Sequence, residues 1–320
     1  IEGELGGSKY SMTRQSDSAD VSYTDGFYDV KAVVEYKPLG LEFKAGWKTV
    51  GQNFSSPASQ TRRVNDLAQG SSLTMYPTYN DGTTERKQSV FDRFSQEQGL
   101  YSNSISTTLD PFSPIYGNIN QYGDATPNRT GLTLDLGLKD SLKRWEGVIK
   151  YKMQQEFVGQ NVPDKRKFSG MLIGAKFNIN RFMGWNKLIS VYGSYNGEST
   201  KRDNPGVGID LKTSVIDLSL DVEVYNRLHL IGGMKSLSAK GDEYEVVRNE
   251  FNQVSEGQLP NQKNYDLSDQ VIVAGAKYDF GPNSFVGLSS QFTTYTDKST
   301  SFAEDKYALD QVYIVYQIKF

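Results

Sequence analysis

The stretch "VIDLSLDVEVY", residues 215–225, decides the fold. Ile216, Leu218, Leu220, Val222 and Val224 fall at every second position, with Asp217, Ser219, Asp221 and Glu223 between them. Side chains of an extended chain point to opposite faces in turn, so this period of two describes a strand with one apolar and one charged face. Residues 132–139, "LTLDLGLK", repeat the pattern: Leu132, Leu134, Leu136 and Leu138 alternate with Thr133, Asp135, Gly137 and Lys139.

Carried along the chain, the rule predicts about twelve strands, near 1–11, 27–37, 39–50, 130–140, 143–157, 168–180, 187–199, 214–225, 227–239, 268–280, 284–296 and 307–320. Their connections alternate in length. "KPLG" (37–40), "DSLKR" (140–144), "RFMGWN" (181–186), "YNRL" (225–228) and "FGPN" (280–283) are tight turns. The links near 13–24, 52–129, 158–167, 201–213, 241–267 and 297–306 are longer. Short turns at one end and long loops at the other characterise outer-membrane barrels.

Composition agrees and excludes other classes. Twenty Tyr and 30 Gly against 10 Pro, with 12% aromatic residues, suit a β-rich chain. Lys and Arg (35) nearly balance Asp and Glu (38) for a net charge of −3, which speaks against nucleic acid as a partner. There is no cysteine, hence no disulfide, thiolate metal site or cysteine nucleophile. No apolar run approaches the ~20 residues of a membrane helix. The opening "IEGELGGSKY" carries no basic, hydrophobic leader, so an export signal is expected to have been removed or the chain to begin inside a longer one.

The distribution of charge separates a soluble sandwich from a barrel in lipid. A barrel in lipid is apolar outside and tolerates charge inside. The polar faces carry Lys31, Glu35, Glu42, Lys44, Lys48, Asp135, Lys150, Lys152, Lys176, Asp217, Asp221, Glu223, Lys235 and Lys277, which are expected to line a lumen. Aromatic residues gather near the stripe ends: Tyr36, Trp145, Trp185, Tyr225, Tyr278 and Phe280 by the tight turns, Tyr28, Trp47, Phe157, Tyr195 and Phe292 by the long links. Two such girdles suit two membrane interfaces.

The final segment, "QVYIVYQIKF" (311–320), alternates Val312, Ile314, Tyr316, Ile318 and Phe320 with Gln311, Tyr313, Gln317 and Lys319. It resembles the C-terminal assembly signal of Gram-negative outer-membrane β-barrels, departing from it at Val315, where glycine is frequent. The resemblance implies a transmembrane, antiparallel, up-and-down β-barrel of about twelve strands (12–16 if N-terminal strands lie outside the chain), with residues 1–320 forming one domain. It further implies an outer-membrane location with both termini periplasmic. The implied partners are outer-membrane lipid and lipopolysaccharide, the barrel-insertion machinery through Tyr316, Ile318 and Phe320, and an envelope protein complex.

Candidates for chemistry are few. His229 is the only histidine and starts a strand beside a tight turn, where a structural role is expected. Calcium-loop spacing is missing, and "GVGID" and "LIGG" lack the strand-to-helix setting of a phosphate loop. No cofactor or metal is expected. The long link at 52–129 mixes charges with aromatics. Arg62, Arg63, Arg86, Arg93, Phe112 and Tyr116 mark it as a constriction folded into the pore or a docking cap, a mobile surface loop being the alternative. The leading expectation is a porin-like channel for small hydrophilic solutes and no enzyme. A non-conducting barrel that scaffolds an envelope, secretion or surface-assembly complex comes second, and an outer-membrane enzyme third.

Overall fold

The computed structural model describes residues 1–13, 20–55, 118–120, 125–247, 254–255, 257–281, 284–299 and 305–317. It contains β1 (Glu2–Thr13), β2 (Asp20–Tyr36), β3 (Leu41–Val50), β4 (Arg129–Lys139), β5 (Trp145–Gln155), β6 (Lys167–Asn178), β7 (Ile189–Arg202), β8 (Ile209–Tyr225), β9 (Leu228–Glu245), β10 (Asn261–Gly281), β11 (Ser284–Asp297) and β12 (Asp305–Gln317). Each strand pairs antiparallel with its sequence neighbours in one 12-stranded sheet ordered β1 to β12. The architecture is all-β and up-and-down, as in outer-membrane barrels. Among the described residues no ladder joins β1 to β12, so the closed ring expected from the alternation is not drawn by these residues. No described helix is long and apolar enough to cross a membrane, which says nothing about crossing by strands.

The sheet is inside out relative to a soluble protein. On β8, Asp217, Ser219 and Asp221 are buried at 3–5% exposure, while Leu218 and Leu220 between them are 47% and 43% exposed. The same outward apolar face holds Val30, Val34, Phe43, Ile149, Ile173, Leu288 and Ile314, all exposed. Leaving so much contiguous apolar surface in water is unfavourable at roughly 25 cal/mol per Å², and lipid removes that penalty. Tyr36, Trp185, Tyr225, Tyr278 and Phe280 at one rim and Tyr28, Trp47, Phe157, Tyr195 and Phe292 toward the other are also exposed, with Trp145 half-buried.

Four strands run further than the alternation alone predicts: β2, β8, β9 and β10 have 17 to 21 residues. They occupy parts of the links placed at 13–24, 201–213 and 241–267. The physical reason is a reversal of polarity within the strand. On β8 the inner positions Ile209 and Leu211 are apolar and buried, and the outward positions Asp210 and Lys212 are polar and exposed. Pairing with β9 continues unshifted from Asp210 to Glu223, so the change is chemical and involves no bulge. Beyond the reversal the inner face holds a conventional core of Leu237, Ala239, Leu267 and Tyr295, with Val215 and Tyr265 against it.

The apolar stretch on β8 from Ile216 to Tyr225 spans nine residue steps. That is about 30 Å of strand, standing about 23 Å tall at a typical barrel tilt, close to the ~25 Å band of outer-membrane barrels. The outward limit lies along one paired row, Leu218–Met234–Ile272–Phe292. In the next row the outward residues become Ser236, Gln270 and Thr294, with Ile216 still apolar on β8.

Short connections join β2–β3, β4–β5, β6–β7, β8–β9 and β10–β11 at one end. In the β2–β3 turn Gly40 has φ +59° and lies against the Lys139 carbonyl, where a Cβ would clash with backbone, so both its conformation and its contact call for glycine. Between β4 and β5, Asp140 accepts the Arg144 backbone N–H at 3.1 Å and its guanidinium at 2.7 and 2.9 Å. The Arg144 guanidinium, partly opposed by burial, holds the Asp140 carboxyl down to about 2. A five-residue helix, α1 (Ile179–Met183), makes the β6–β7 turn and ends at Gly184.

Candidate functional site

Strand pairing decides which charged side chains share the inner face, because directly paired residues project to the same side. Lys44 pairs with Asp135 and Asp135 with Lys150, giving one row across β3, β4 and β5. Glu35 pairs with Glu42, and Lys31 and Lys48 both reach Asp29, at 2.9 and 3.8 Å. Lys152 lies two residues from Lys150 on β5. On β6, Lys176 pairs with Glu146 on one side and Tyr192 on the other. Across β8, β9 and β10, Asp217 pairs with Lys235, and Glu223 with His229 and then Lys277; Asp221 shares their face at period two. The residues expected to line a lumen thus all lie on the face opposite the apolar one.

Their charges are largely compensated in place. Lys44 is ion-paired with Glu42, Lys150 lies 4.0 Å from Asp135, and Lys277 lies 3.3 Å from Asp279. His229 is buried, with Nδ1 2.7 Å from Asp221 Oδ1 and Nε2 3.2 Å from Asp279 Oδ2. With both nitrogens so engaged, the ring ties β8, β9 and β10 together near the tight-turn end. A cavity of about 310 Å³ opens on the inner face of β3 to β7, lined by Lys44, Asp135, Lys139, Glu146, Lys150, Lys176 and their neighbours. Among the described residues no group of three or more His, Asp or Glu is arranged to hold a metal ion.

At the other end, the described parts of the long link turn inward. After β3, Gly51 N–H donates to the Gly26 carbonyl, Asn53 N–H to Asp25, and Ser55 N–H to Ser8 Oγ. Phe54 packs edge-on against Phe27, with ring centroids 5.2 Å apart. Where the link returns, the backbone N–H groups of Asn118 and Ile119 donate to Glu198 Oε2 at 2.7 and 3.2 Å, and Thr200 Oγ1 donates to Asn118 Oδ1. Asn120, oriented to suit its neighbours, accepts from Lys152 at 3.2 Å. The link is therefore anchored on β1–β2 at its start and on β5–β8 at its end.

Beside this anchor lies a buried ionic network. Arg166 donates to Glu156 (2.8 Å), Gln160 (2.8 Å) and Glu243 (3.3 Å). Burial disfavours its charge, but the two carboxylates outweigh burial and raise its pKa above the ordinary value. Arg129 stacks over Phe168 at 3.7 Å and donates to the Ile119 carbonyl at 3.1 Å.

Arg62, Arg63, Arg86, Arg93, Phe112 and Tyr116 lie outside the described residues, as do Ile318 and Phe320 of the expected assembly signal; Tyr316 is described and exposed. Sequence reasoning passed over Asp29 and Asp279, which the alternation could have found two positions from Lys31 and Lys277. It also passed over Arg166, Glu156, Glu198 and Glu243, whose meeting depends on strand ends far apart in sequence.

No protein-family model matches the chain, and no curated protein matches it. Solved structures similar to the chain include two of OmpT, an outer membrane protein of Vibrio cholerae. The form lacking loop L8 is 10% identical with a TM-score of 0.33, over 98% of this chain and 99% of that one. The in-vitro folded trimer form is 10% identical with a TM-score of 0.35, over 98% and 100%. On comparison with these OmpT neighbours, the expectation that the chain is no enzyme is corrected and withdrawn. At this identity the likeness concerns the fold and assigns no reaction.

Proposed function

We propose that the chain is an outer-membrane channel for small hydrophilic solutes, with the charged inner face as its lining. The observation that carries this reading is the inversion of the sheet: Asp217, Ser219 and Asp221 buried beside exposed Leu218 and Leu220. A second support is the cavity among inner-face lysines and carboxylates, which offers a polar solute partners in place of its water. In this reading the tight turns and both termini face the periplasm, lipid and lipopolysaccharide contact the outward face, and the insertion machinery reads β12. Planar-bilayer recording tests it: discrete conductance steps are expected, and their absence at high protein dose overturns it.

One observation favours a second reading, a non-conducting barrel that scaffolds an envelope complex. At the long-link end Ile119, Phe168 and Leu211 are almost fully buried beside the Arg166 network, as in a filled interior. Co-purification of an envelope protein together with absent conductance is the result that supports it.

A further inference from the structure

We infer that the inner-face cavity at the tight-turn end is a binding subsite for a free acidic amino acid, a ligand with two carboxylates and one ammonium. The inference rests on the channel reading and specifies its solute.

Paired residues form two rows of alternating charge, one across β3, β4 and β5 and the other, one strand over, across β4, β5 and β6. The upper row is Lys44–Asp135–Lys150, and the lower is Lys139–Glu146–Lys176. They are four residues, roughly 13 Å, apart along β4. The rows differ in what already neutralises them. Lys44 is held by Glu42, and Lys150 lies 4.0 Å from Asp135. Among the described residues Lys139, Lys176 and Glu146 form no ion pair, although all three line the cavity; Glu42, already held by Lys44, also lines it and acts on Lys139 only beyond ion-pair distance. The lower row thus offers ammonium, carboxylate and ammonium in order.

Between the rows the floor is Gly137, Val148 and Gly174. A Cβ at Gly174 would come within 3.3–3.5 Å of Val148, Ser194 and Tyr192, so the glycine leaves space that a side chain would crowd. The ligand complementary to such a row presents negative, positive and negative groups over a short carbon chain. Glutamate and aspartate do so: each carboxylate meets one lysine, and the α-ammonium meets Glu146. A plain dicarboxylate would match both lysines but leave Glu146 without an ammonium and next to two further carboxylates, and a neutral amino acid would leave one lysine unmatched. The 310 Å³ volume accommodates either acidic amino acid with water.

The test uses the full chain in planar bilayers, with L-glutamate, succinate, glycine and an osmotically matched sugar added separately. Glutamate is expected to reduce the ion current at concentrations where glycine and the sugar do not. Glu146→Gln should weaken the glutamate effect about tenfold while leaving or strengthening that of succinate, since it removes only the ammonium's partner. Lys139→Met and Lys176→Met should weaken both, and Lys212→Met, on the opposite face, neither. Glutamate acting no differently from the sugar, or unaffected by Glu146→Gln in a variant that still inserts, overturns the subsite and leaves the channel standing. No conductance at all overturns the channel. The subsite is then judged by calorimetric titration of L-glutamate into the detergent-solubilised chain, where absence of saturable heat overturns it.

Discussion

The side-chain end of Ile119 rests directly over Gly170: a Cβ at Gly170 would meet Ile119 Cδ1 at 2.8 Å. The returning end of the long link is seated there because one strand position has no side chain. Gly170→Leu should unseat Ile119 and forfeit the burial of one aliphatic side chain, about 1.5–3 kcal/mol. The expected readout is faster amide exchange at 118–120 with the β-sheet circular dichroism unchanged. Gly232→Ala, whose Cβ would have only an ordinary 3.7 Å contact, serves as the control.

Neighbouring positions on β8 should respond oppositely to the same residue. Leu220→Arg places a charge on the lipid side near the middle of the apolar stretch and should cost about 2–4 kcal/mol in folding into vesicles. Ser219→Arg points to the inner face and should be mild. Equal losses in denaturant titrations would reject the assignment of faces.

Glu156 is fully buried and provides the nearest charge to Arg166. Glu156→Gln leaves that guanidinium with Glu243 alone, whereas Glu243→Gln keeps the closer carboxylate. Breaking a buried pair costs about 3–5 kcal/mol. The first variant should therefore be the worse, and the loss should be local: proteolysis at 156–167 while the membrane part stays folded.

The Asp140–Arg144 turn supplies a pH test. Asp140 titrates at about 2, below the ordinary 3.8, because Arg144 binds the charged form. A group depressed in the folded state contributes stability above its unfolded pKa and loses it as pH falls through the folded value. The turn should therefore remain ordered at pH 4 and loosen toward pH 2. Carboxyl-carbon NMR should find the midpoint near 2 and, in Arg144→Gln, back in the ordinary range.

The sequence made the strand number, antiparallel order and tight turns legible because alternation is a local property, as at Leu132 to Lys139. The inner-face position of Lys44, Asp135 and Lys150 follows from the same arithmetic. The strand extensions did not, because beyond Ile216 the apolar residues of β8 change sides, and a reader following one phase stops there. The Arg166–Glu156–Glu243 network was illegible for another reason: Arg166 and Glu243 stand 77 residues apart, and only the fold brings them together. Lys139 and Glu146 were readable as a charged pair flanking a turn, but their lack of ion-pair partners is a property of distances.

The reversal of polarity on β8, β9 and β10 gives the molecule a waterline that belongs to its strands. The mark is set by Ile216, Ser236 and Gln270, within continuous hydrogen-bonded ladders. Trimming or exchanging loops leaves it where it is. Converting Ser236 and Gln270 to leucine would extend the apolar surface by one row, and the protein would ride deeper in its bilayer, its draught altered by two side chains while its backbone stayed the same.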